Sequence, residues 1–216
     1  LEQVFVADGL MAWQSVFDGK LTFAKDRLES FYKKAEAERE EKLIPNIETF
    51  LVRLELYSGN IAVALRWMES APDENVEFIS IYRFHYLTKV RIYLCTGKYE
   101  LAVDLLQKLL YYAEVMKRTF IRMECELLLA ITQQRMGYDG WDETLQRCLD
   151  EAQEYHFVRL VTREAGAAYK LLKMTAWKPQ DKTFYKELLE EAGRMEKLYP
   201  AYLKTGAKEV VLGENA

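Results

Sequence analysis

The fold is decided by the stretch RLELYSGNIAVALRW, residues 53–67. In it a glycine ends an apolar helical segment, an apolar residue follows two positions later, and an alanine stands five positions after the glycine. Glycine adopts the left-handed backbone conformation that ends a helix in a tight turn. The apolar residue then begins to pack a second helix, and the small alanine lets the two helices approach closely. The stretch therefore predicts a helical hairpin.

The same pattern recurs along the chain. It reads VFDGKLTFA at residues 16–24 and RIYLCTGKYELA at residues 91–102, and a weaker copy at residues 134–142 has Asp142 in place of the alanine. The four turn glycines are 40, 38 and 40 residues apart: Gly19, Gly59, Gly97 and Gly137. Repeated helix–turn–helix units of about 34 residues are typical of tetratricopeptide repeats. We therefore predict an all-α fold, a tetratricopeptide-like superhelical solenoid of antiparallel helix pairs with a period of 38–40 residues.

Apolar residues at helical spacing and the positions of the four prolines outline ten helices. The predicted helices are 4–17, 21–41, 46–57, 61–70, 76–95, 99–116, 119–136, 141–155, 157–175 and 181–198. We assign residues 1–175 to the repeats. Residues 176–216 are predicted to form a C-terminal helix and a linker.

Composition excludes several classes of function. The formal net charge is -4, whereas a domain that grips nucleic acid normally has a basic face, so direct DNA binding is disfavoured. The three cysteines are far apart and form no C-x-x-C motif, which is typical of reduced thiols in a cytosolic protein. No apolar run approaches the roughly 18 residues of a membrane span, and no secretory signal is recognised. We expect a cytoplasmic protein without a membrane partner.

Motifs that would carry chemistry are missing from the sequence. We find no phosphate loop, no dinucleotide-binding glycine motif, no zinc-protease motif and no nucleophile elbow. The two histidines, His85 and His156, are too few for a typical multi-histidine metal site. We therefore predict that the chain is not an enzyme and that it contains no catalytic residue, no metal site and no cofactor.

Two copies of the repeat resemble a known family in more detail. In both RLELYSGNIAVALRW and RIYLCTGKYELA an arginine, Arg53 or Arg91, stands six residues before the turn glycine. Residues 47–172 resemble the superhelical tetratricopeptide domain of the large bacterial LuxR-family regulators typified by MalT, which contain a STAND-type NTPase module. An arginine is common at this position in that family.

The resemblance continues downstream. Glu124 is similar to a residue of the family's next helix, and residues 152–161 resemble a recurrent segment in which His156 stands near the usual glycine. Residues 164–166 resemble an acidic-glycine step shifted by one residue. Residues 195–203 resemble the linker that precedes the family's C-terminal helix-turn-helix.

The resemblance implies a division of labour in a longer protein. This region would sense a small-molecule inducer or a regulatory protein, ATP would bind an NTPase module that is absent from these residues, and DNA would be bound only by an absent C-terminal helix-turn-helix. The alternative is a free-standing tetratricopeptide adaptor that binds protein segments in its concave groove.

Five residues are the candidate ligand or partner contacts on the concave face: Arg53, Arg91, Tyr82, Tyr86 and Glu124. Arginine offers a fixed fork of donors to carboxylate, phosphate or hydroxyl groups, and tyrosine offers a flat apolar face with a polar tip. A structural role stays open, in which the arginines pair with acidic residues of neighbouring repeats and the tyrosines pack helices together. If the arginines contact ligand, replacing both with alanine should weaken inducer binding and leave the thermal midpoint nearly unchanged.

Overall fold

The computed structural model describes residues 2–76 and 78–204, and in these residues eleven α-helices follow one another without any strand. Their bounds are Glu2–Phe17 (α1), Leu21–Ala37 (α2), Ile44–Tyr57 (α3), Ile61–Met68 (α4), Arg83–Thr96 (α5), Tyr99–Val115 (α6), Thr119–Met136 (α7), Trp141–Glu154 (α8), Val158–Thr162 (α9), Ala165–Met174 (α10) and Lys182–Leu198 (α11). Each helix packs against the next. The all-α prediction is confirmed, and this packing is compatible with an α-solenoid.

The first helices of successive pairs also contact one another directly. Helix α5 contacts both α3 and α7, and α7 contacts α9 and α10. Apolar side chains from α1 to the segment after α11 form one continuous core. Helix α5 lies at its centre and is buried on nearly all sides, although it carries Lys89 and Arg91. Because buried charges require partners, α5 is the place to look for polar networks.

The four turns have the geometry that the repeated sequence predicts. The turn glycines adopt φ angles of 73° to 75°. In each turn the residue after the glycine donates its backbone N–H to a carbonyl five residues earlier, as Asn60 does to Glu55 at 3.0 Å. Ala24, Ala64 and Ala102 are completely buried. In the fourth turn, the Asp142 carboxylate instead accepts hydrogen bonds from the Thr175 hydroxyl and from the backbone N–H of residue 176.

Three predicted helices need correction. Helix α2 ends at Ala37 rather than at residue 41, since Arg39 adopts a φ of 57°. In the segment predicted as helix 76–95, residues 76, 78 and 79 are not helical, and the 3₁₀ turn Ser80–Tyr82 precedes α5. The predicted helix 157–175 is two helices, α9 and α10, and Ala165 at the break has a φ of 47°.

A further expectation concerns the C-terminal end of the chain. The C-terminal segment, predicted to span residues 176–216, contains α11, which packs against α10 and α9. Residues 205–216 of that segment lie outside the described residues.

The loop that connects α4 to α5 is held on α5 by a buried ion pair. Lys89 Nζ donates to the Glu74 carboxylate and to the Pro72 carbonyl, the latter at 3.0 Å, and the Tyr93 hydroxyl donates to Glu74 at 3.1 Å. The Glu74 carbonyl in turn accepts a hydrogen bond from Lys108 Nζ on α6 at 3.0 Å. The loop is therefore tied to both helices of the next pair.

Alanine substitution of two turn glycines is expected to have unequal effects. Both Gly59 and Gly137 have φ angles that alanine adopts only with strain, so each change should cost about 1–2 kcal/mol. A Cβ at Gly59 would also lie 2.7 Å from the Cβ of Ala201, whereas at Gly137 it would meet nothing within 4 Å. Gly59→Ala should therefore cost about 1–3 kcal/mol more than Gly137→Ala in urea unfolding. Adding Ala201→Gly should remove this excess, and equal effects of the two single changes would contradict the packing.

Candidate functional site

Arg91 occupies the centre of the buried surface of α5. Its side chain is 0% exposed. The guanidinium donates to both carboxylate oxygens of Glu164, with Nε 3.2 Å from Oε2. It also donates to Glu124 Oε1 at 2.9 Å and to the Leu87 carbonyl at 2.8 Å. Arg91 thus joins α5 to α7 and to the break between α9 and α10.

Two more arginines converge on Glu124. Arg53 Nη2 on α3 lies 2.7 Å from Glu124 Oε1, and Arg163 Nη2, just after α9, lies 2.6 Å from Glu124 Oε2. The Arg53 guanidinium also packs over the rings of Trp13 and Phe84, at 5.5 and 5.0 Å from their centroids. We define the central network as five side chains: Arg53, Arg91, Glu124, Arg163 and Glu164.

The central network holds three cations and two carboxylates, so its formal charge is +1 when both glutamates are ionised. Burial alone would raise the pKa of Glu124, but the charges of Arg163, Arg53 and Arg91 outweigh burial and hold that pKa well below its usual range. Burial and the neighbouring charge of Arg91 lower the pKa of Arg53. The central network therefore holds one positive charge more than its own carboxylates neutralise.

The residues after α11 run across the ends of several helices, and we call residues 199–203 the strap. The Tyr202 hydroxyl donates to Glu164 Oε2 at 3.0 Å and accepts from Arg91 Nε at 3.1 Å. Its ring stacks on the ring of Tyr57, with centroids 4.1 Å apart and an interplanar angle of 5°. Tyr202 is therefore part of the same hydrogen-bonded unit as the central network.

The rest of the strap contacts α1 and α7. The Tyr199 hydroxyl donates to the Val16 carbonyl at 2.6 Å. Arg135 on α7 donates to the Leu203 carbonyl at 2.5 Å and to the Leu94 carbonyl of α5 at 2.9 Å. The strap thus ties together α1, α3, α5 and α7, which are far apart in the sequence.

An open cleft of about 840 Å³ lies beside the central network. Its walls come from the end of α1, the start of α7, the segment from residue 156 to residue 163, and α11. Arg163 belongs to both places, because it lines the cleft and contacts Glu124 inside. The backbone carbonyl of Arg163 also accepts a hydrogen bond from the Tyr57 hydroxyl at 2.7 Å. One residue therefore joins the cleft, the network and the ring beneath the strap.

The structure brings three of the five predicted site residues together. Arg53, Arg91 and Glu124 meet in the central network, and they are 2%, 0% and 4% exposed. Tyr86 is buried and stacks on Phe78 at 5.1 Å, away from these three. The remaining residue, Tyr82, packs against His85 at 5.5 Å. None of the five lines the cleft, so ligand contact by any of them stays a prediction.

Sequence reasoning missed Arg163, Glu164 and Tyr202. The break after α9 was hidden inside a predicted continuous helix. The signal nearest to the break was the acidic-glycine step at residues 164–166, which marked an acidic position without indicating a partner.

Acid is expected to destabilise the fold through Glu124. Its pKa is lower in the folded chain than in the unfolded chain, so its ion pairs contribute fully above the unfolded value of about 4.3 and are lost as pH falls below it. Glu124→Gln should have a lower free energy of unfolding than wild type at pH 7. Between about pH 5 and pH 2 its free energy of unfolding should decrease by on the order of 2 kcal/mol less than that of wild type. Urea unfolding across that pH range measures both decreases. The exposed change Glu190→Gln should keep the wild-type slope, and the same slope in Glu124→Gln would contradict the assignment.

The described residues also bear on metal ions, membranes and thiols. Residues 2–76 and 78–204 contain no cluster of three or more side chains suited to hold a metal ion. Every helix in these ranges is too short or too polar to span a bilayer. The three cysteines are free and buried.

Comparison of the chain with protein-family models, with curated proteins and with solved structures finds no match.

Proposed function

We propose that the chain is the sensing module of a LuxR-family, MalT-like transcriptional regulator, a tetratricopeptide-like superhelical solenoid that binds a small-molecule inducer or a regulatory protein. In this proposal ATP and DNA bind modules outside these residues, and the chain itself is not an enzyme. One arrangement supports a sensing role above all: Arg163 faces an open cleft and also belongs to a buried network that extends to Tyr202 in the strap.

This arrangement provides a route from an occupied cleft to the strap. A ligand that draws the Arg163 guanidinium outward weakens its contact with Glu124, which Arg53 and Arg91 also share. The Arg163 carbonyl holds the hydroxyl of Tyr57, and the Tyr57 ring stacks on Tyr202. A ligand shifts an equilibrium only by its differential affinity for the two states. Here the difference lies in whether Arg163 pairs with Glu124 or with the ligand.

The repeat geometry supports the solenoid part of the proposal. All four turns share one backbone conformation, and α3, α5 and α7 contact one another in succession. In a solenoid each repeat contacts only its neighbours, and the stacked first helices form an extended binding surface. In this chain the strap and the break between α9 and α10 cover part of the surface that α3, α5 and α7 share.

The gene that encodes the chain provides the first test. We expect a phosphate-loop sequence several hundred codons upstream and a helix-turn-helix directly after Ala216. A start codon just before Leu1 together with a stop codon soon after Ala216 would refute the regulator. That result would favour the free-standing adaptor, whose partner would be a protein segment rather than a metabolite.

The full-length regulator provides the second test. Tyr202→Phe keeps the ring on Tyr57 but removes the hydroxyl that links the strap to Glu164 and Arg91. We expect inducer-dependent transcription of a reporter to fall several-fold while DNA binding without inducer is unchanged. The exposed change Tyr111→Phe serves as the matched control. A full inducer response in Tyr202→Phe would show that the hydroxyl link between the strap and the central network carries no signal.

A further inference from the structure

Helix α9 and the residue that directly follows it present two arginines to the cleft. Arg159 and Arg163 are four residues apart, a spacing that places side chains on the same face of a helix. Each guanidinium lies over an aromatic ring, Arg159 over Phe17 of α1 at 5.0 Å and Arg163 over Phe120 of α7 at 5.5 Å. Rings from two other helices thus hold both guanidinium groups on one wall of the cleft.

The donors on this wall are incompletely neutralised. Among the described residues Arg159 forms no ion pair, and the hydrogen bond that it donates goes to the neutral amide oxygen of Gln14 at 2.5 Å. Arg163 does contact Glu124 and Glu164, but these carboxylates also serve Arg53 and Arg91, which leaves the central network with a charge of +1. The wall of the cleft that Arg159 and Arg163 form therefore has positive charge with which it can bind an anion.

The facing wall on α11 carries carboxylates that already have partners. Glu191 accepts two hydrogen bonds from Arg194, at 2.5 and 2.7 Å, and Glu187 lies 3.1 Å from His156 Nε2. Glu190 lies 3.7 Å from Lys186. At the end of α1, the Asp18 carboxylate accepts a hydrogen bond from Gln14 at 2.9 Å. Because these acidic groups also attract cations, the charge of the bound ligand must be tested with matched anionic and cationic probes.

The rest of the cleft is apolar. Trp13, Phe157, Val158 and Leu160 contribute to its lining, and the ring of Phe120 is 47% exposed. A volume of about 840 Å³ lies within the roughly 300–1,000 Å³ that is typical of small-molecule sites. An occupant needs an apolar body as well as a charged group in order to match this surface.

We propose that the cleft binds a small carboxylate or phosphate that carries an aromatic or aliphatic body. The anion accepts hydrogen bonds from Arg159 and Arg163, because guanidinium donors match the paired oxygens of these groups. The body packs against Phe120 and Phe157. This assignment rests on the proposed sensing function and narrows its inducer to one chemical class.

Four probes of similar size separate charge from shape: 3-phenylpropionate, phenyl phosphate, 3-phenylpropanol and 3-phenylpropylamine. Isothermal titration calorimetry on the 216-residue chain should detect the two anions, with the alcohol at least about tenfold weaker and the amine weaker still. Arg159→Gln should weaken 3-phenylpropionate about tenfold, and Phe120→Ala should weaken it several-fold. The exposed Arg66→Gln, on α4 and outside the cleft, should leave binding unchanged.

Tighter binding of the amine than of 3-phenylpropionate would overturn the assignment, because the carboxylates of α11 would then dominate. Unchanged affinity in both Arg159→Gln and Phe120→Ala would overturn it as well, and comparison of their thermal midpoints with wild type verifies that both variants fold. If neither anion binds but the gene encodes both flanking modules, the ligand class is wrong and the sensor proposal stands. If the anions bind and the flanking modules are absent, the cleft assignment stands without the regulator.

Discussion

Replacing Arg91 with alanine is expected to lower the free energy of unfolding by about 3–5 kcal/mol, because it leaves a buried carboxylate without its main partner. Glu164 is 0% exposed, and Arg91 donates to both of its oxygens. The change also removes a donor to Glu124 and one to the Tyr202 hydroxyl. Urea unfolding at pH 7 measures the loss directly.

Arg194→Ala is the matched control, since Arg194 also binds a glutamate through two hydrogen bonds but is 44% exposed. Exposed ion pairs contribute about 0–1 kcal/mol, so this variant should unfold almost like wild type. A double replacement of Arg91 and Glu164 with methionine should recover much of the loss, because it removes both buried charges and keeps their volume. If Arg91→Ala were no more destabilising than Arg194→Ala, the central network would have no structural role.

This expectation differs from the one that the sequence alone supports. From the repeat pattern, loss of Arg53 and Arg91 would weaken inducer binding at an unchanged thermal midpoint if both face a ligand. Both side chains are nearly inaccessible to solvent in the structure. We therefore expect their replacement to lower the free energy of unfolding, rather than to weaken inducer binding at an unchanged thermal midpoint. Ligand contact by Arg91 would require the strap and the break at Glu164 to move away.

The sequence was sufficient where one local pattern determines one local geometry. Each turn glycine has a positive φ of about 74° because a helical hairpin needs that conformation wherever it turns tightly. Arg53 and Arg91 meet at one acidic residue because their equal offset from the turn glycine gives them equivalent places on neighbouring first helices. Register within the repeat could therefore be predicted without any tertiary information.

The partners of these arginines could not be predicted in the same way. Glu124 lies thirteen residues before its turn glycine, an offset unlike that of the arginines. Glu164 reaches Arg91 only because the chain breaks between α9 and α10, where the helix-favouring local sequence predicts continuity. Tertiary contacts stabilise that break. The Tyr57 hydroxyl donates a hydrogen bond to the Arg163 carbonyl, and the Arg91 guanidinium donates to the Glu164 carboxylate.

A second periodic feature escaped detection because it uses no glycine. Arg39, Lys117 and His156 follow α2, α6 and α8, and all three adopt φ angles of 51° to 57°. Their separations are 78 and 39 residues, which are multiples of the repeat length. Residues other than glycine seldom adopt this conformation, so nothing in their identity indicates it. After each of the three, the next residue donates its backbone N–H to a carbonyl five residues earlier, as Arg118 does to Ala113 at 2.7 Å, which is the same closure that the glycine turns use.

Replacing Tyr202 with alanine is expected to be comparable in effect to losing Arg91. The side chain is 3% exposed and its ring stacks face to face on Tyr57, so truncation leaves a cavity of the kind that costs about 3–5 kcal/mol. It also removes hydrogen bonds to Glu164 and Arg91. Tyr202→Phe keeps the ring and loses only the hydroxyl, so it should cost about 1–3 kcal/mol. The difference between the two variants separates packing from hydrogen bonding.

Hydrogen exchange would locate the loss. Since the strap contacts Val16, Tyr57 and Arg135, Tyr202→Ala should increase amide exchange at the C-terminal ends of α1, α3 and α7 more than on the outer helix α6. The control is Tyr111→Ala on α6, where the ring is 72% exposed and the change should be within about 0.5 kcal/mol of wild type. Uniform acceleration in all helices would mean that Tyr202 only supports global stability. Acceleration confined to the three helix ends would mean that the strap can open while the helices stay folded, as the proposed signal route requires.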